Sequence, residues 1–200
     1  MASLQDLRYA LRERLARWFE RPAVAVLGAI GFTPGRATLA GVALGVAAGY
    51  FAATGEFVAA GLLVIGSGVF DMLDGGLARR SGTVSRRGAL LDSVGDRVSE
   101  GAVLLGLLVY YTDPDTSDRA PAILAFVAFA GSMMVSYVRA RAEGLGLKGT
   151  AGFATRTERW AVTVVGLLTG WVEPALWVLA VATPLSAFQR FWAEWRRHDS

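Results

Sequence analysis

Six long apolar segments follow one another along this chain of 200 residues, and polar or charged stretches separate them. A helix needs about 20 mostly apolar residues to cross a bilayer. The pattern therefore predicts an all-α integral membrane protein with six transmembrane helices, over residues 36–54, 57–79, 86–111, 120–142, 156–171 and 174–192. The fifth and sixth segments are divided only by residues 170–174, which indicates a tight turn at that point.

The N-terminal segment has a different pattern, in which arginines alternate with apolar residues. The apolar residues recur at helical spacing, at Leu4, Leu7, Leu11, Leu15 and Phe19. This pattern predicts an amphipathic juxtamembrane helix on the cytoplasmic membrane surface, over residues 1–21, before a membrane domain over residues 22–200. Residues 22–31 are apolar but too few to span a bilayer.

Composition agrees with a membrane protein, since 54% of the residues are hydrophobic and 18% are charged. A soluble domain has about 25% charged residues. The chain has no cysteine and one histidine, which excludes disulfides and thiolate or polyhistidine zinc sites. Among its 20 lysines and arginines, only Arg119 falls in the predicted loops on one side. The positive-inside rule then predicts a protein of the cell membrane with both termini in the cytoplasm, and explains the basic charge without a nucleic-acid partner.

Four aspartates lie at the cytoplasmic ends of the second and third predicted spans, where charged groups are costly. Asp71 and Asp74 share one helical face, as do Asp92 and Asp96, and the short loop makes the two helices antiparallel neighbours. Four converging carboxylates favour Mg²⁺ or Mn²⁺, with room for two ions. The alternative is a set of helix-end ion pairs with Arg79, Arg86, Arg87 and Arg97.

These aspartates belong to a longer motif, D-x2-D-G-x2-A-R-x8-G-x3-D-x3-D, whose eight fixed positions are all present between residues 71 and 96. The motif resembles the signature of the CDP-alcohol phosphotransferase family. The resemblance implies a six-helix membrane bundle, usually homodimeric, with a juxtamembrane amphipathic helix. It also implies a transferase that releases CMP when an acceptor hydroxyl attacks the phosphorus of a CDP-linked lipid or alcohol, with the active site on the cytoplasmic side.

The resemblance also implies roles for individual residues. Asp71, Asp74, Asp92 and Asp96 would hold the metal, and Asp96 would also be the catalytic general base. The implied contacts to the CDP-lipid are Arg36, Thr38, Gly75, Arg79 and Ser85. The segment before the first span departs from the family form, because Gly35 stands where Asn or Asp is common. Gly75 has an alternative role in helix packing.

A second basic cluster lies at the cytoplasmic ends of the last three spans. Arginines bind phosphate oxygens in a fixed fork, so such a cluster suits an acceptor that carries a phosphate. The surrounding sequence resembles phosphatidylinositol phosphate synthases of actinobacteria, which join CDP-diacylglycerol to inositol 1-phosphate. The implied acceptor residues are Ser136, Arg139, Arg141, Arg156, Arg159 and Arg190, with Arg139 where lysine is the expected form. A plain topology signal or contact with lipid headgroups is the alternative.

Four alternatives are considered at this stage, two within the same chemistry and two from other classes of protein. The acceptor could be glycerol 3-phosphate or another alcohol, and the donor could carry archaeal-type ether chains. A cation or proton transporter would also place aspartates within the membrane, but it should extend polar residues across both leaflets. A membrane scaffold would not need the eight motif residues.

Overall fold

The computed structural model describes residues 20–147 and 152–197, and these residues are helical apart from short connections. The predicted surface helix over residues 1–21 lies almost wholly outside the described residues. The helices are α1 Arg21–Ala29, α2 Pro34–Ala53, α3 Phe57–Ser81, α4 Arg86–Thr112, α5 Arg119–Gly144, α6 Arg156–Thr169 and α7 Val172–Arg197.

All six predicted segments are helices, with ends that differ from the prediction by a few residues. The largest difference is at the end of α7, which continues to Arg197. This helix begins at Val172 because the left-handed Gly170 completes the reversal within two residues. The sequence analysis did not predict α1. This helix starts beside Pro22 in its first turn, where proline is tolerated, and ends before the left-handed Gly31.

The described residues belong to two compact units, whose boundaries fall inside α2, α3 and α4. The first unit contains the residues up to 44 together with residues 66–96. Its small apolar core joins Val24 of α1, Ala37 of α2, and Leu73 and Leu77 of α3. This core fixes α1 against the end of α3 that carries Asp71 and Asp74.

The second unit contains residues 45–65 and the chain from residue 97 onward. Its core consists mainly of alanine, valine and leucine, including Ala52, Leu107, Ala125, Leu167 and Leu176. Helices α5 and α7 pack closely in this unit. Gly131 permits this close approach because it has no side chain. A Cβ atom at this position would lie 2.9 Å from Pro184 Cδ and closer still to Thr183 Oγ1.

Three helices of the described chain, α2, α3 and α5, are long and apolar enough to cross a membrane. The charged residues of α4 all lie between Arg86 and Glu100, and α6 has 14 residues. At about 1.5 Å per residue α6 is about 21 Å long, against a hydrocarbon core of about 30 Å. The protein is thus a membrane protein whose remaining helices are shorter or more polar than an isolated spanning helix.

Candidate functional site

The connection between α3 and α4 brings the two aspartate-bearing helix ends together in the first unit. Helix α3 ends because Gly82 adopts a left-handed conformation at φ 67°, and the Thr83 amide donates back to the Ala78 carbonyl at 3.1 Å. Ser85 then precedes α4 and accepts a hydrogen bond from the Gly88 amide at 3.1 Å, as an N-cap residue does. The chain therefore reverses within four residues.

Three of the four predicted metal ligands converge at this reversal. Asp71, Asp74 and Asp92 each offer a carboxylate oxygen, and these oxygens lie within 4.8 Å of one another. Asp96, one turn further along α4, is not a member of this group in the described chain. The predicted convergence of α3 and α4 carboxylates is thus present for three residues, and a role for Asp96 stays a prediction.

Asp74 is the most enclosed of the three carboxylates, with 7% of its surface exposed. The Thr38 hydroxyl of α2 donates to its Oδ2 atom at 2.7 Å, and Thr38 is itself buried. Sequence analysis assigned Thr38 to the CDP-lipid. In this structure its direct contact is Asp74, so Thr38 orients a carboxylate of the acidic cluster.

A cavity of about 500 Å³ adjoins the acidic cluster in the first unit. It is lined by Asp74 and Asp92 and by the predicted donor-binding residues Thr38, Gly75, Arg79 and Ser85. Arg36 is exposed and does not line it, whereas the neighbouring Pro34 and Gly35 do. The structure therefore places four of the five predicted donor residues around one cavity.

Arg79 also has a partner that the sequence analysis did not predict. Its Nη2 atom donates to Glu20 Oε1 at 2.6 Å, although 65% of the arginine side chain is exposed. A Cβ atom at Gly75 would lie 3.1 Å from Arg79 Nη1. The missing side chain at Gly75 therefore leaves room for the guanidinium beside the cavity.

The second unit contains a buried ion pair between α4 and α6. Arg159 donates from Nε to Glu100 Oε1 at 2.7 Å and from Nη2 to Glu100 Oε2 at 2.9 Å. The Ser132 hydroxyl also donates to Glu100 Oε1, at 2.6 Å. Sequence analysis did not select Glu100, although it lies four residues after Asp96 in the same helix. This spacing of four residues, the same as that between Asp92 and Asp96, could have indicated Glu100 from the sequence.

The predicted acceptor arginines divide into those near this pair and those elsewhere. Arg139 and Arg159 are close enough to Arg190 to act on its charge, and Arg190 is 5% exposed. Arg139 also pairs with Glu143 at 2.8 Å on the exposed side of α5. Arg141 lines a different cavity, of about 460 Å³ between α5 and α7.

The two remaining predicted acceptor residues, Ser136 and Arg156, are both half-buried. Ser136 lies on α5, one turn after Ser132. Arg156 begins α6. Their predicted contacts with an acceptor stay predictions.

The acidic cluster has the donor set of a divalent cation site. Three carboxylates held this close repel one another, and a hard cation with oxygen ligands removes that repulsion. Mg²⁺ and Mn²⁺ both accept such ligands. Asp71, Asp74 and Asp92 are the residues that could hold the ion, and the adjoining cavity leaves open positions for a ligand.

The described residues combine a helical membrane fold with a carboxylate cluster beside an arginine-lined cavity, an arrangement that suits an enzyme acting on phosphate groups. The chain belongs to the CDP-alcohol phosphatidyltransferase family, whose model matches residues 32–188. It is therefore a transferase, as the motif predicted.

Relatives within this family carry more specific names. The chain is 34% identical over 203 residues to the phosphatidylinositol phosphate synthase of Mycobacterium tuberculosis, covering 96% of this chain and 92% of the relative. It is 36% identical over 163 residues to the archaetidylinositol phosphate synthase of Methanothermobacter thermautotrophicus, covering 78% of each.

The fold agrees with crystal structures of the M. tuberculosis synthase. The structure in complex with manganese and citrate has a TM-score of 0.82 and 34% identity, covering 87% of this chain and 88% of that chain. The structure with CDP-DAG bound also has a TM-score of 0.82, at 33% identity, covering 88% of this chain and 94% of that chain.

Proposed function

We propose that this protein transfers a phosphatidyl group from CDP-diacylglycerol to inositol 1-phosphate, giving phosphatidylinositol phosphate and CMP. The observation that carries the proposal is the convergence of Asp71, Asp74 and Asp92 beside the cavity with the family motif. The relatives named phosphatidylinositol phosphate synthase support the choice of acceptor. The cofactor is Mg²⁺ or Mn²⁺, bound as two ions.

The membrane arrangement is part of the same proposal. Six helices, α2 to α7, cross the cell membrane, and the N-terminal segment lies on its cytoplasmic surface. Nearly all basic residues flank one set of helix ends, which supports a cytoplasmic active site and cytoplasmic termini. The protein works as a homodimer, as the family resemblance implies.

On the donor side, the chain's residues bind and orient the nucleotide diphosphate. Asp71, Asp74 and Asp92 hold the divalent cation, which neutralises diphosphate charge and polarises the phosphorus–oxygen bonds when bound. Thr38 keeps Asp74 in place through its hydrogen bond. Arg79 leaves Glu20 to bind a phosphate oxygen, and Ser85 lines the same cavity.

On the acceptor side, the arginines bind the phosphate monoester and Asp96 accepts the proton. An alcohol is a poor nucleophile until a base removes its proton, which is the role of the Asp96 carboxylate. The oxygen–phosphorus bond to the acceptor forms as the bond to CMP breaks. The buried Arg190 and Arg159 bind the acceptor phosphate, and this excludes acceptors without one.

The test is CMP release by the purified protein supplied with CDP-diacylglycerol, Mg²⁺ and one acceptor at a time. We expect release with inositol 1-phosphate, little release with inositol, and none after EDTA treatment until Mg²⁺ or Mn²⁺ is restored. Release with glycerol 3-phosphate alone would contradict the inositol assignment while retaining the reaction class. Metal-independent release would contradict the role of the acidic cluster.

An ether-lipid donor is a second candidate, favoured by the 36% identity to an archaetidylinositol phosphate synthase. Apolar helix surfaces do not discriminate between acyl and ether chains by hydrogen bonding. The same assay with a CDP-linked ether lipid in place of CDP-diacylglycerol separates the two. The expected result is a higher kcat/KM for CDP-diacylglycerol.

A further inference from the structure

Glu100 forms a largely enclosed ion pair with Arg159 in the second unit. Both of its carboxylate oxygens accept from Arg159, so the pair has the planar two-bond geometry that fixes a guanidinium in one orientation. The Arg159 side chain is 4% exposed and that of Glu100 is 22% exposed. Water therefore screens this pair far less than a surface pair.

Two further hydrogen bonds complete the arrangement. Ser132 of α5 donates to Glu100 Oε1 at 2.6 Å, and Arg159 Nη1 donates to the Ala154 carbonyl at 3.0 Å. A guanidinium has five N–H groups. Three of those on Arg159 are thus used within the described part of the chain, and the other two are available to a ligand.

Both arginines and glutamates surround this pair, since Glu143 acts on the charge of Arg190 and Glu194 is buried one turn further along α7. Arg190 is buried, and its Nε atom has no hydrogen-bond partner among the described residues. Arg139 and Arg159 both act on the charge of Arg190. A buried donor without a partner is costly, and a phosphate would satisfy it. Glu100 offsets part of the repulsion among these arginines.

We propose that Glu100 is a positioning residue for the acceptor phosphate: it fixes Arg159 so that its two remaining N–H groups act together with Arg190. This inference rests on the proposed function, in which these arginines bind the acceptor. Glu100 itself is anionic and contacts Arg159, not the acceptor. Its effect therefore passes through the orientation of one guanidinium.

A purely structural role for Glu100 predicts a different result from a positioning role. Loss of a structural ion pair lowers the amount or stability of folded enzyme and leaves both Michaelis constants unchanged. Loss of positioning raises the KM for the phosphorylated acceptor and leaves the KM for CDP-diacylglycerol unchanged. The ratio of the acceptor KM to the CDP-diacylglycerol KM therefore distinguishes a positioning role from a structural one.

The experiment compares Glu100→Gln, Glu100→Asp and Ser132→Ala in the purified full chain. Glu100→Gln replaces one carboxylate oxygen with an amide group that cannot accept a hydrogen bond from Arg159. We expect the KM for inositol 1-phosphate to rise about tenfold, or about 1.4 kcal/mol. Glu100→Asp keeps the charge on a shorter side chain and should give a smaller rise. Ser132→Ala removes one hydrogen bond to the Glu100 carboxylate and should raise this KM by about threefold, less than Glu100→Gln because both bonds from Arg159 remain.

Glu173→Gln is the control, because it neutralises an exposed glutamate in the first turn of α7, at the opposite end of that helix from Arg190. We expect its acceptor KM to stay within about twofold of the wild type, as for other exposed charges. An unchanged acceptor KM in Glu100→Gln would overturn the positioning role. A fall in kcat alone in Glu100→Gln would also overturn it. Wild-type constants in Glu100→Asp would overturn it as well, because they would show that the charge is enough without the two-bond geometry.

Two additional arms keep this test separate from that of the proposed function. If the wild type releases CMP with glycerol 3-phosphate and not with inositol 1-phosphate, the acceptor assignment fails, and the variants are compared with glycerol 3-phosphate. Calorimetric titration with inorganic phosphate measures the anion site without turnover. Weaker phosphate binding by Glu100→Gln than by Glu173→Gln supports the inference, and equal binding overturns it.

Discussion

Individual side chains decide the chemistry of the acidic cluster. Asp71, Asp74 and Asp92 come from two helices, yet their oxygens lie within 4.8 Å of one another. Thr38 adds a hydrogen bond that holds Asp74 inside the protein. The cluster therefore combines charge that needs a cation with a scaffold that keeps the carboxylates together before the cation binds.

Replacing Asp92 by asparagine should remove most of the metal-dependent activity. The amide keeps the side-chain shape but loses the charge that binds the ion. Metal catalysis contributes several kcal/mol, so kcat/KM should fall by at least about a hundredfold. CMP release measured over a Mg²⁺ titration checks this. Asp115→Asn, the same change in an exposed loop, is the control and should match the wild type.

The sequence was sufficient to predict most of this cluster but less of the arginine cluster. The spacings of three and four residues, with a short loop between helices, already placed Asp71, Asp74 and Asp92 together. Glu100 and Arg159 are separated by 59 residues, so no local pattern joins them. The helical face of Arg141 depends on how α5 packs against α7, which hydropathy does not specify.

Two of the predicted acceptor residues, Arg190 and Arg141, should differ in function. Arg190 is buried with an unsatisfied Nε atom among the described residues, whereas Arg141 lines another cavity. We expect Arg190→Gln to raise the acceptor KM by at least about tenfold, since buried charged hydrogen bonds contribute about 1.5–3 kcal/mol. Arg141→Gln should have a much smaller effect. Equal effects of the two substitutions on acceptor KM would contradict this division.

At the scale of the helices, length and apolar pattern predicted correctly that six segments are helical, and the crossing of the membrane by all six stays a prediction. Their ends follow from local chemistry, such as the left-handed Gly82 after α3 and the Asp118 side chain that caps α5 by accepting from the Ala120 amide at 3.1 Å. The short helix α1 escaped prediction because its nine residues are too few for a clear periodic pattern. Its contacts with α3 required the tertiary structure.

The close packing of α5 on α7 should depend on Gly131. Gly131→Ala would force a methyl group against Thr183 and Pro184, and overpacking of this kind costs about 1–3 kcal/mol. Thermal unfolding in detergent should show a lower midpoint for this variant. Gly144→Ala, at a position of α5 with open space around it, is the matched control and should not lower the midpoint.

For the whole molecule, the distribution of basic residues predicts which ends of the helices face the cytoplasm. The chain has no cysteine, so one introduced cysteine gives an unambiguous labelling site. Asp115→Cys lies between α4 and α5, and Leu145→Cys follows the other end of α5. Both positions are exposed, which makes each accessible to a soluble reagent.

In intact cells, a membrane-impermeant maleimide should label Asp115→Cys and not Leu145→Cys. Both should react after the membrane is permeabilised, which controls for reactivity. The reverse pattern would place the acidic cluster on the opposite side of the membrane and contradict the proposed orientation. The expectation follows from the positive-inside rule, because Arg119 is the sole basic residue of the predicted outer loops.

The contact between Glu20 and Arg79 matters for anyone who shortens this protein. The family match starts at residue 32, so a chain cut to that boundary would lack Glu20 and all of α1. Its Arg79 would lose the carboxylate at 2.6 Å and meet solvent or a bound anion instead. On the proposed role of Arg79, such a shortened protein would bind the CDP-linked donor with altered affinity, and its kinetics would differ from those of the intact protein.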